Sequence, residues 1–398
     1  MKIEFTEAYS AEAFDFIAFA KGFAVHQQGD QARLYVTGQT VDQIAAIDIN
    51  PNGTTDTNLL HWSTPASTAD IESGGQFAIA DTGSTAVVYS FATTHSALRA
   101  TTVNANGSLG TSEYVTSDDG RVGSVTTITT LAGTDSSTPW IAVAEWGKTG
   151  LNLYEIEADA SWRKVQSIAD TEKSYVNNVS ATMTARVGDV EYLVTSSASE
   201  NGITTFARDA DGLYQTVDSL GNMDGLAIAG ASAMDIVEVD GQSFVLIAAT
   251  GSNSLSVLRI NDRGCLFETD HQIDDRNTRF DNASVLDTFT DNDRSFVVVA
   301  GSDHGASIFE VMPGGALAHM TTVAAEGGLS GPALYNVTEI QAVVAGDAVE
   351  LFVLDEHADT LQHYSVSLAT LGDRITTPPD AVETLGTDKD DLLLGSAT

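Results

Sequence analysis

Cysteine and basic side chains are scarce in this sequence, and each shortage excludes a class of protein. Only one of the 398 residues is a cysteine, Cys265, so the chain cannot form an intrachain disulfide. Lys and Arg total 18 against 55 Asp and Glu, which gives a formal net charge of −37. A charge this negative repels phosphates and therefore argues against nucleic acids and anionic membranes as partners. Two explanations of the charge stay open: an acidic surface that keeps an extracellular protein soluble, or one that collects cations.

Several functional signals are also missing. No run approaches the roughly 18 consecutive apolar residues of a membrane span. The first residues, Met1–Phe5, do not begin a standard secretory signal peptide, so export would depend on a signal elsewhere. The sequence has no Gly-x-Ser-x-Gly elbow, no phosphate-binding Gly-rich loop ending in Gly-Lys-Ser/Thr and no His-Glu-x-x-His helix. Familiar catalytic motifs therefore identify no activity.

Seven segments share one pattern, in which a short apolar run is followed by a polar loop and a second, alternating run. In the fifth segment, Phe244–Ala248 precedes Leu255–Leu258. The last large apolar residues of the second runs are Ile47, Tyr89, Tyr154, Phe206, Leu258, Phe309 and Tyr364. Their spacing ranges from 42 to 65 residues and is 51 to 55 in the last four intervals. Such a period indicates a repeat architecture.

Each unit divides into four short strands. In the fifth unit we predict strands at Ala231–Val239, Ser243–Ala249, Ser254–Asn261 and Cys265–Ile273. The first runs are nearly continuous in Val, Ile, Leu and Ala, as in strands buried between sheets, and the turns carry Gly, Asn and Asp. Seven four-stranded units around one axis form a propeller. We therefore predict an all-β, seven-bladed β-propeller over residues 1–375.

Ring closure is also predictable from the two ends of the repeat region. The seventh unit has no outermost strand after Tyr364–Ser367, whereas Lys2–Tyr9 precedes the first unit as an unassigned strand. We predict that Lys2–Tyr9 completes the seventh blade and joins the two ends of the ring.

One strand–turn–strand segment carries a resemblance to a known family. The segment Leu255–Leu266, with its Gly264 turn, is similar to the signature of the lactonase-type (YVTN-type) seven-bladed propellers. Asp209–Leu213 and Pro313–Leu317 repeat this turn. The resemblance covers most of the chain as a structural repeat and implies the fold. It does not extend to a catalytic motif, and propellers host many unrelated functions.

The C-terminal segment carries a second resemblance. After Thr376 the chain becomes linker-like, and Gly386–Gly395 resembles the opening unit of haemolysin-type (RTX) repeats, with Lys389 where a glycine is usual. We predict that residues 376–398 form a linker and a first, truncated calcium-binding repeat, in which Asp388, Asp390 and Asp391 provide oxygen ligands for Ca²⁺. The resemblance implies a secreted bacterial protein that is exported by a type I machine and folds on meeting calcium.

Candidate site residues lie on the loops that meet at one mouth of a propeller channel, where function is usually found. His304 and His357 occupy nearly equivalent positions in the sixth and seventh units, and each follows an acid, Asp303 or Glu356. With Asp355 they form a candidate site for a divalent transition metal, or a base and its orienting partner in hydrolysis. Glu145, in the third unit, is a further catalytic candidate. A Ca²⁺ ion held by the loop carboxylates at the axis is the alternative.

Two hypotheses about function follow, and they leave open whether the chain is an enzyme. The first is a non-catalytic extracellular binding or attachment module, with a protein or glycan ligand and a calcium-binding tail. The alternative is a lactonase-like or metal-dependent hydrolase with its site at the channel mouth. The first predicts that no acid–base set converges there, and the second requires such a set beside a pocket.

Overall fold

A computed structural model describes residues 1–9, 20–28, 31–38, 43–56, 62–63, 75–81, 86–92, 98–104, 109–132, 139–157, 161–324, 334–356, 360–376, 387 and 389–394. The chain is all-β, as predicted, apart from one short 3₁₀ turn at Asn222–Asp224. Within these residues there is no helix with the length and hydropathy that a membrane span requires.

Seven sheets, antiparallel except for one parallel bridge in the third, form the blades of a propeller, and the strands are numbered here in chain order. The first strand, β1 (Lys2–Tyr9), lies outside the first blade. Blade 1 contains β2 (Ala20–Gln28), β3 (Gln31–Gly38), β4 (Gln43–Ile49), β5 (Thr55–Asp56) and β6 (Trp62–Ser63). Blade 2 contains β7 (Gly75–Asp81), β8 (Ala86–Ala92), β9 (Arg99–Val103) and β10 (Leu109–Tyr114). Blade 3 contains β11 (Thr116–Ser117), β12 (Gly120–Arg121), β13 (Val125–Leu131), β14 (Trp140–Glu145), β15 (Leu151–Ile156) and β16 (Trp162–Ile168).

The remaining blades are more regular. Blade 4 contains β17 (Val179–Val187), β18 (Val190–Ser197), β19 (Gly202–Arg208) and β20 (Tyr214–Gly221). Blade 5 contains β21 (Ala231–Val239), β22 (Gln242–Ala249), β23 (Ser254–Ile260) and β24 (Leu266–Ile273), within one residue of the predicted bounds. Blade 6 contains β25 (Val285–Asp291), β26 (Arg294–Ala300), β27 (Gly305–Val311) and β28 (Leu317–Ala324). Blade 7 contains β29 (Val337–Ala345), β30 (Ala348–Asp355) and β31 (Thr360–Ser367).

The N-terminal strand closes the ring. β1 pairs antiparallel with β31, so that Lys2 faces Ser367 and Tyr9 faces Leu361. The prediction that Lys2–Tyr9 completes the seventh blade is therefore confirmed. Tyr9 is buried in the apolar cluster between blades 7 and 1, which fixes the strand through packing as well as through backbone hydrogen bonds.

The hydrophobic core lies between the blades. Among the described residues, seven apolar clusters each fill the space between two neighbouring blades. Between blades 5 and 6, for example, Leu246 and Val257 pack in one cluster with Val297 and Phe309. Full burial of one such side chain contributes about 1.5–3 kcal/mol. This packing explains why the second strands of the blades are nearly continuous in apolar residues.

Carboxylates on the innermost strands bind across blade boundaries. Asp235 of blade 5 accepts hydrogen bonds from the N–H and hydroxyl of Thr288, and Asp287 of blade 6 accepts the N–H of Ala342. Glu339 of blade 7 accepts the N–H of Phe23 in blade 1, at 2.8 Å. Burial raises the pKa of Glu339 to about 8. Burial also raises the pKa of Asp235, and burial together with the charge of Asp235 raises the pKa of Asp287 well above its usual range.

A two-stranded parallel sheet follows the propeller. It contains β32 (Leu371–Thr376) and β33 (Asp390–Leu394), so the predicted domain boundary after residue 375 falls within a strand. The buried guanidinium of Arg294 forms two hydrogen bonds with Glu310, at 2.8 and 2.6 Å. It also donates to the carbonyls of Gly372, at 3.3 Å, and Asp390, at 2.8 Å. Arg294 therefore joins blade 6 to both strands of this sheet.

Candidate functional site

Asp390 and Asp391 lie in the C-terminal sheet, whereas the described candidates for the channel mouth lie on one face of the propeller, where the loops between second and third strands meet the connectors between blades. This surface is called the loop face here, and the opposite surface, with the hairpins of strands 1–2 and 3–4, is called the turn face. Asp303 and His304 join β26 to β27, while Asp355 and Glu356 lie at the end of β30. Glu145 ends β14 of blade 3, and two blades lie between blade 3 and blade 6. His357 and Asp388 lie outside the described residues.

His304 departs from a pattern that two other loops share. Asn201, Asn253 and His304 all adopt left-handed backbone conformations, with φ of 57°, 51° and 58°. The side-chain oxygens of both asparagines accept an N–H of the next connector, from Gly230 and Asn282 respectively. Asparagine suits this conformation, whereas histidine is less common there. The exposed His304 ring instead packs edge-to-face against Tyr335, with ring centroids 5.1 Å apart.

Asp303 lies beside a basic and an acidic group. Its carboxylate is 3.5 Å from the guanidinium of Arg279. Partial burial raises the pKa of Asp303, the charge of Asp274 adds to this shift, and Arg279 opposes it. Asp274 itself accepts the N–H of Phe280 at 2.9 Å and the hydroxyl of Thr278 at 2.8 Å. Asp303, Arg279 and His304 therefore form a small polar group on the loop face of blade 6.

Asp355 and Glu356 are engaged with the connector between blades 6 and 7. The buried Asp355 carboxylate accepts the N–H groups of Tyr335 and Asn336, the second at 3.0 Å. Glu356 is exposed and accepts the side-chain amide of Asn336 at 2.6 Å. Because backbone N–H groups are strong donors in a buried setting, Asp355 fixes the shape of this connector.

Glu145 has a separate environment in blade 3. It is half-buried, and the side-chain amide of Asn152 donates to it at 3.4 Å. The next residue, Trp146, is 58% exposed. Since blades 4 and 5 separate blade 3 from blade 6, the structure does not bring Glu145 together with Asp303 and His304.

The predicted metal sites stay predictions. Within the described part of the chain, no three His, Cys, Asp or Glu side chains come together as metal ligands would. In the C-terminal segment, the Asp391 carboxylate accepts the hydroxyl of Thr387 at 2.6 Å and the N–H of Asp373 at 2.9 Å. These hydrogen bonds, with that of Thr387 largest, lower the pKa of Asp391. Asp390 is exposed and lies next to it in β33.

Among the described residues, several large apolar or aromatic side chains project from the loop face. Trp146 follows β14, Met223 lies in the connector after blade 4 and is 88% exposed, and Tyr335 lies in the connector before blade 7 and is 48% exposed. The sequence identified Glu145, the neighbour of Trp146, as a loop candidate, but gave no indication of a role for Tyr335, Met223 or Arg279. The only available signal was their position in polar segments between apolar runs.

Comparison with known proteins establishes the fold class. No known family profile matches the sequence, and no curated protein sequence matches it significantly. A periplasmic gluconolactonase of Pseudomonas aeruginosa aligns over 76% of this chain and 85% of its own, with 14% identity and a TM-score of 0.52. A proposed 6-phosphogluconolactonase of Bacteroides fragilis aligns over 85% and 95%, with 15% identity and a TM-score of 0.51. A protein of Lactobacillus plantarum aligns over 82% and 92%, with 13% identity and a TM-score of 0.51. At these identities the likeness concerns the fold alone, a seven-bladed β-propeller.

Proposed function

We propose that this propeller is a non-catalytic binding module that attaches to an extracellular protein or glycan through its loop face. The observation that carries the proposal is a contrast on that face: polar side chains are hydrogen-bonded to the backbone, whereas aromatic side chains are exposed to solvent. Asp355, Asn201 and Asn253 are occupied by backbone N–H groups, which makes the loops rigid. Trp146 and Tyr335, by contrast, are presented to solvent. Rigid loops with exposed aromatic side chains are typical of binding surfaces, because Trp and Tyr provide large contact areas.

Binding of the purified chain to an array of glycans and to immobilised extracellular proteins tests this proposal. We expect Trp146→Ala and Tyr335→Ala each to weaken the strongest interaction about tenfold. Phe267→Ala is the matched control, because Phe267 is 46% exposed but lies on the outer strand β24. Equal losses in all three variants, or no saturable binding on either kind of array, would contradict the proposal.

The proposal extends to the C-terminal segment. Residues 376–398 would bind Ca²⁺ through Asp388, Asp390 and Asp391, in a secreted bacterial protein exported by a type I machine. The resemblance of Gly386–Gly395 to RTX repeats supports this proposal, as does the preference of Ca²⁺ for carboxylate and carbonyl oxygens. We expect calcium to raise the melting temperature of the chain and a chelator to reverse the effect. Asp391→Ala would abolish the response, whereas Asp211→Ala, in an exposed turn of blade 4, would retain it.

A lactone hydrolase is the second candidate, favoured by the polar group of Asp303, Arg279 and His304 on the loop face of blade 6. Asp303 or His304 would accept a proton from the attacking water, and Arg279 would stabilise the negative oxygen that forms at the ring carbonyl. The shared fold with proteins described as gluconolactonases adds weight to this candidate. Hydrolysis of gluconolactone above the uncatalysed rate, lost in Asp303→Asn and His304→Ala but kept in Asp211→Asn, would favour it over the binding module. A rate equal to the uncatalysed one would exclude gluconolactone as a substrate.

A further inference from the structure

A cleft of about 670 Å³ lies on the turn face, at the seam where the ring closes. Three chain segments surround it: β1 through Lys2 and Glu4, the blade 7 hairpin Ala345–Ala348, and the blade 1 turn Pro51–Asn52. The volume falls within the range of roughly 300–1,000 Å³ that is usual for small-molecule sites. None of the residues discussed for the loop face contributes to this cleft.

A buried carboxylate forms part of the cleft wall. Glu350 is 2% exposed, and its Oε2 is 2.8 Å from Nε2 of His363. Its Oε1 accepts the hydroxyl of Ser365, which also lines the cleft, at 3.0 Å. His363 is fully buried and stacks on Phe352, with ring centroids 4.5 Å apart. Packing and hydrogen bonds therefore hold the Glu350 carboxylate in one position.

Two glycines lie where chain segments approach each other closely at the cleft. A side chain on Gly53 would collide with Oε1 of Glu350, and its φ of 78° also favours glycine. Gly346, in the blade 7 hairpin, has φ of 60° and approaches the carbonyl of Pro51. The blade 1 turn is thus close both to the buried carboxylate and to the blade 7 hairpin, and the space left between the segments is open to a ligand.

The chemistry of the lining selects for hydrogen-bond donors with positive charge. The ammonium of Lys2 contacts the carboxylate of Glu4, so these two charges compensate each other. The other charged groups lining the cleft are the carboxylates of Asp347 and Glu350, next to the hydroxyl of Ser365. Anions are disfavoured in such a setting. A metal ion is also disfavoured, because within the described residues no three ligating side chains converge.

We propose that this cleft binds a small hydroxylated organic cation, such as an amino sugar, with its ammonium group at Asp347 and Glu350. A bound molecule would contact β1, blade 7 and blade 1 at once. It therefore bridges the two strands that close the ring, β1 and β31, and stabilises the closed state over the unfolded chain.

Calorimetric titration with glucosamine, and thermal denaturation in its presence, test this proposal. We expect saturable one-to-one binding and a melting temperature that rises with glucosamine concentration. Glucose, which lacks the charge, should bind about tenfold more weakly. Asp347→Asn should weaken glucosamine binding by a similar factor, and Ala348→Phe should block it by filling the cleft.

The matched control is Asp189→Asn in blade 4. Gly188 and Asp189 occupy the same kind of hairpin as Gly346 and Asp347, and both glycines have φ of 60°. This variant should bind glucosamine as the unchanged chain does. Equal affinity for glucose, or undiminished glucosamine binding in both Asp347→Asn and Ala348→Phe, would overturn the proposal. Absence of saturable binding would overturn it as well. So would a melting shift that calcium chloride causes, that glucosamine does not cause, and that Asp347→Asn abolishes.

Discussion

On the loop face, Asp355 and Asp274 accept backbone N–H groups and shape the connectors between blades. On the turn face, the buried carboxylates of Glu310 and Glu350 instead bind the side chains of Arg294 and His363. The first arrangement fixes loops but leaves their outer surface available. The second arrangement holds the ends of the chain, because Arg294 contacts the C-terminal sheet and Glu350 lies beside the closing strand β1. Acidic side chains in one protein thus serve two structural purposes, according to whether their partner is a backbone group or a buried side chain.

The largest effect should follow from removing Arg294. Arg294→Met leaves Glu310 buried without its partner and removes two hydrogen bonds to the carbonyls of Gly372 and Asp390. Loss of one partner of a buried ion pair costs about 3–5 kcal/mol. Urea denaturation should show this loss in the free energy of unfolding. The double variant Arg294→Met with Glu310→Met should recover part of this loss. A cost below about 1 kcal/mol for the single variant would contradict the structural role assigned to the buried ion pair.

On the loop face, Asp355→Ala tests how much a carboxylate that binds backbone groups contributes to the free energy of unfolding. The variant leaves the N–H groups of Tyr335 and Asn336 without this acceptor. Unsatisfied buried donors cost about 1–3 kcal/mol each, and water that enters at this exposed edge will reduce the sum. We expect a loss of about 3 kcal/mol in urea denaturation. A loss larger than that of Arg294→Met would reverse the order that the comparison predicts.

At the axis, Glu339 belongs to neither face and should make stability depend on pH. Its pKa in the folded protein is about 8, above the ordinary value of 4.5. The folded state therefore binds more protons than the unfolded chain between these values, and stability falls as the pH rises through this window. Glu339→Gln keeps an acceptor for the N–H of Phe23 and removes the titration. At about pH 9 we expect the variant to be more stable than the unchanged chain by up to about 5 kcal/mol, because each unit by which the pKa is raised corresponds to about 1.4 kcal/mol, with a smaller difference near pH 5.5. Parallel stability curves for the two proteins would contradict this assignment.

The smallest effect concerns His304, which has the left-handed conformation that Asn201 and Asn253 also adopt. His304→Asn should stabilise the protein by about 0.5 kcal/mol, because asparagine tolerates this conformation better. Thermal denaturation measures the gain, and Asn253→His provides the reciprocal control, with an expected loss. A stabilising His304→Asn that also loses ligand binding or hydrolysis would show that the loop face retains histidine for its function.

The fold was predictable because the same pattern of strands recurs in each of the seven units. Apolar second strands recur with a period near 52 residues, so the inner packing of blades 5 and 6 could be inferred from runs such as Phe244–Ala248. The role of Lys2–Tyr9 was predictable for a different reason. The seventh unit had three of the expected four strands, and Lys2–Tyr9 was a strand without a unit of its own.

The site was less predictable because it depends on contacts between segments distant in sequence. Asp303 and His304 were identified from their loop, but Arg279 and Tyr335 lie on connectors whose course only the tertiary structure reveals. The same holds for Glu339, whose partner is 316 residues away. The parallel pairing of β32 with β33 was also missed, since the carbonyls that Arg294 holds together give no periodic signal.

The pairing of β1 with β31 determines the order in which the molecule can be completed. Lys2 is synthesised 365 positions before its partner Ser367. Blades 2 to 6 can each form and stack on a neighbour while the chain grows, but the seventh sheet stays without its outer strand until β31 is available. Joining such distant segments has a high loop-closure entropy and makes the last step of folding slow. Until then Tyr9 lacks its packing partners in blade 7, and the edge of β31 is open to strands of other chains.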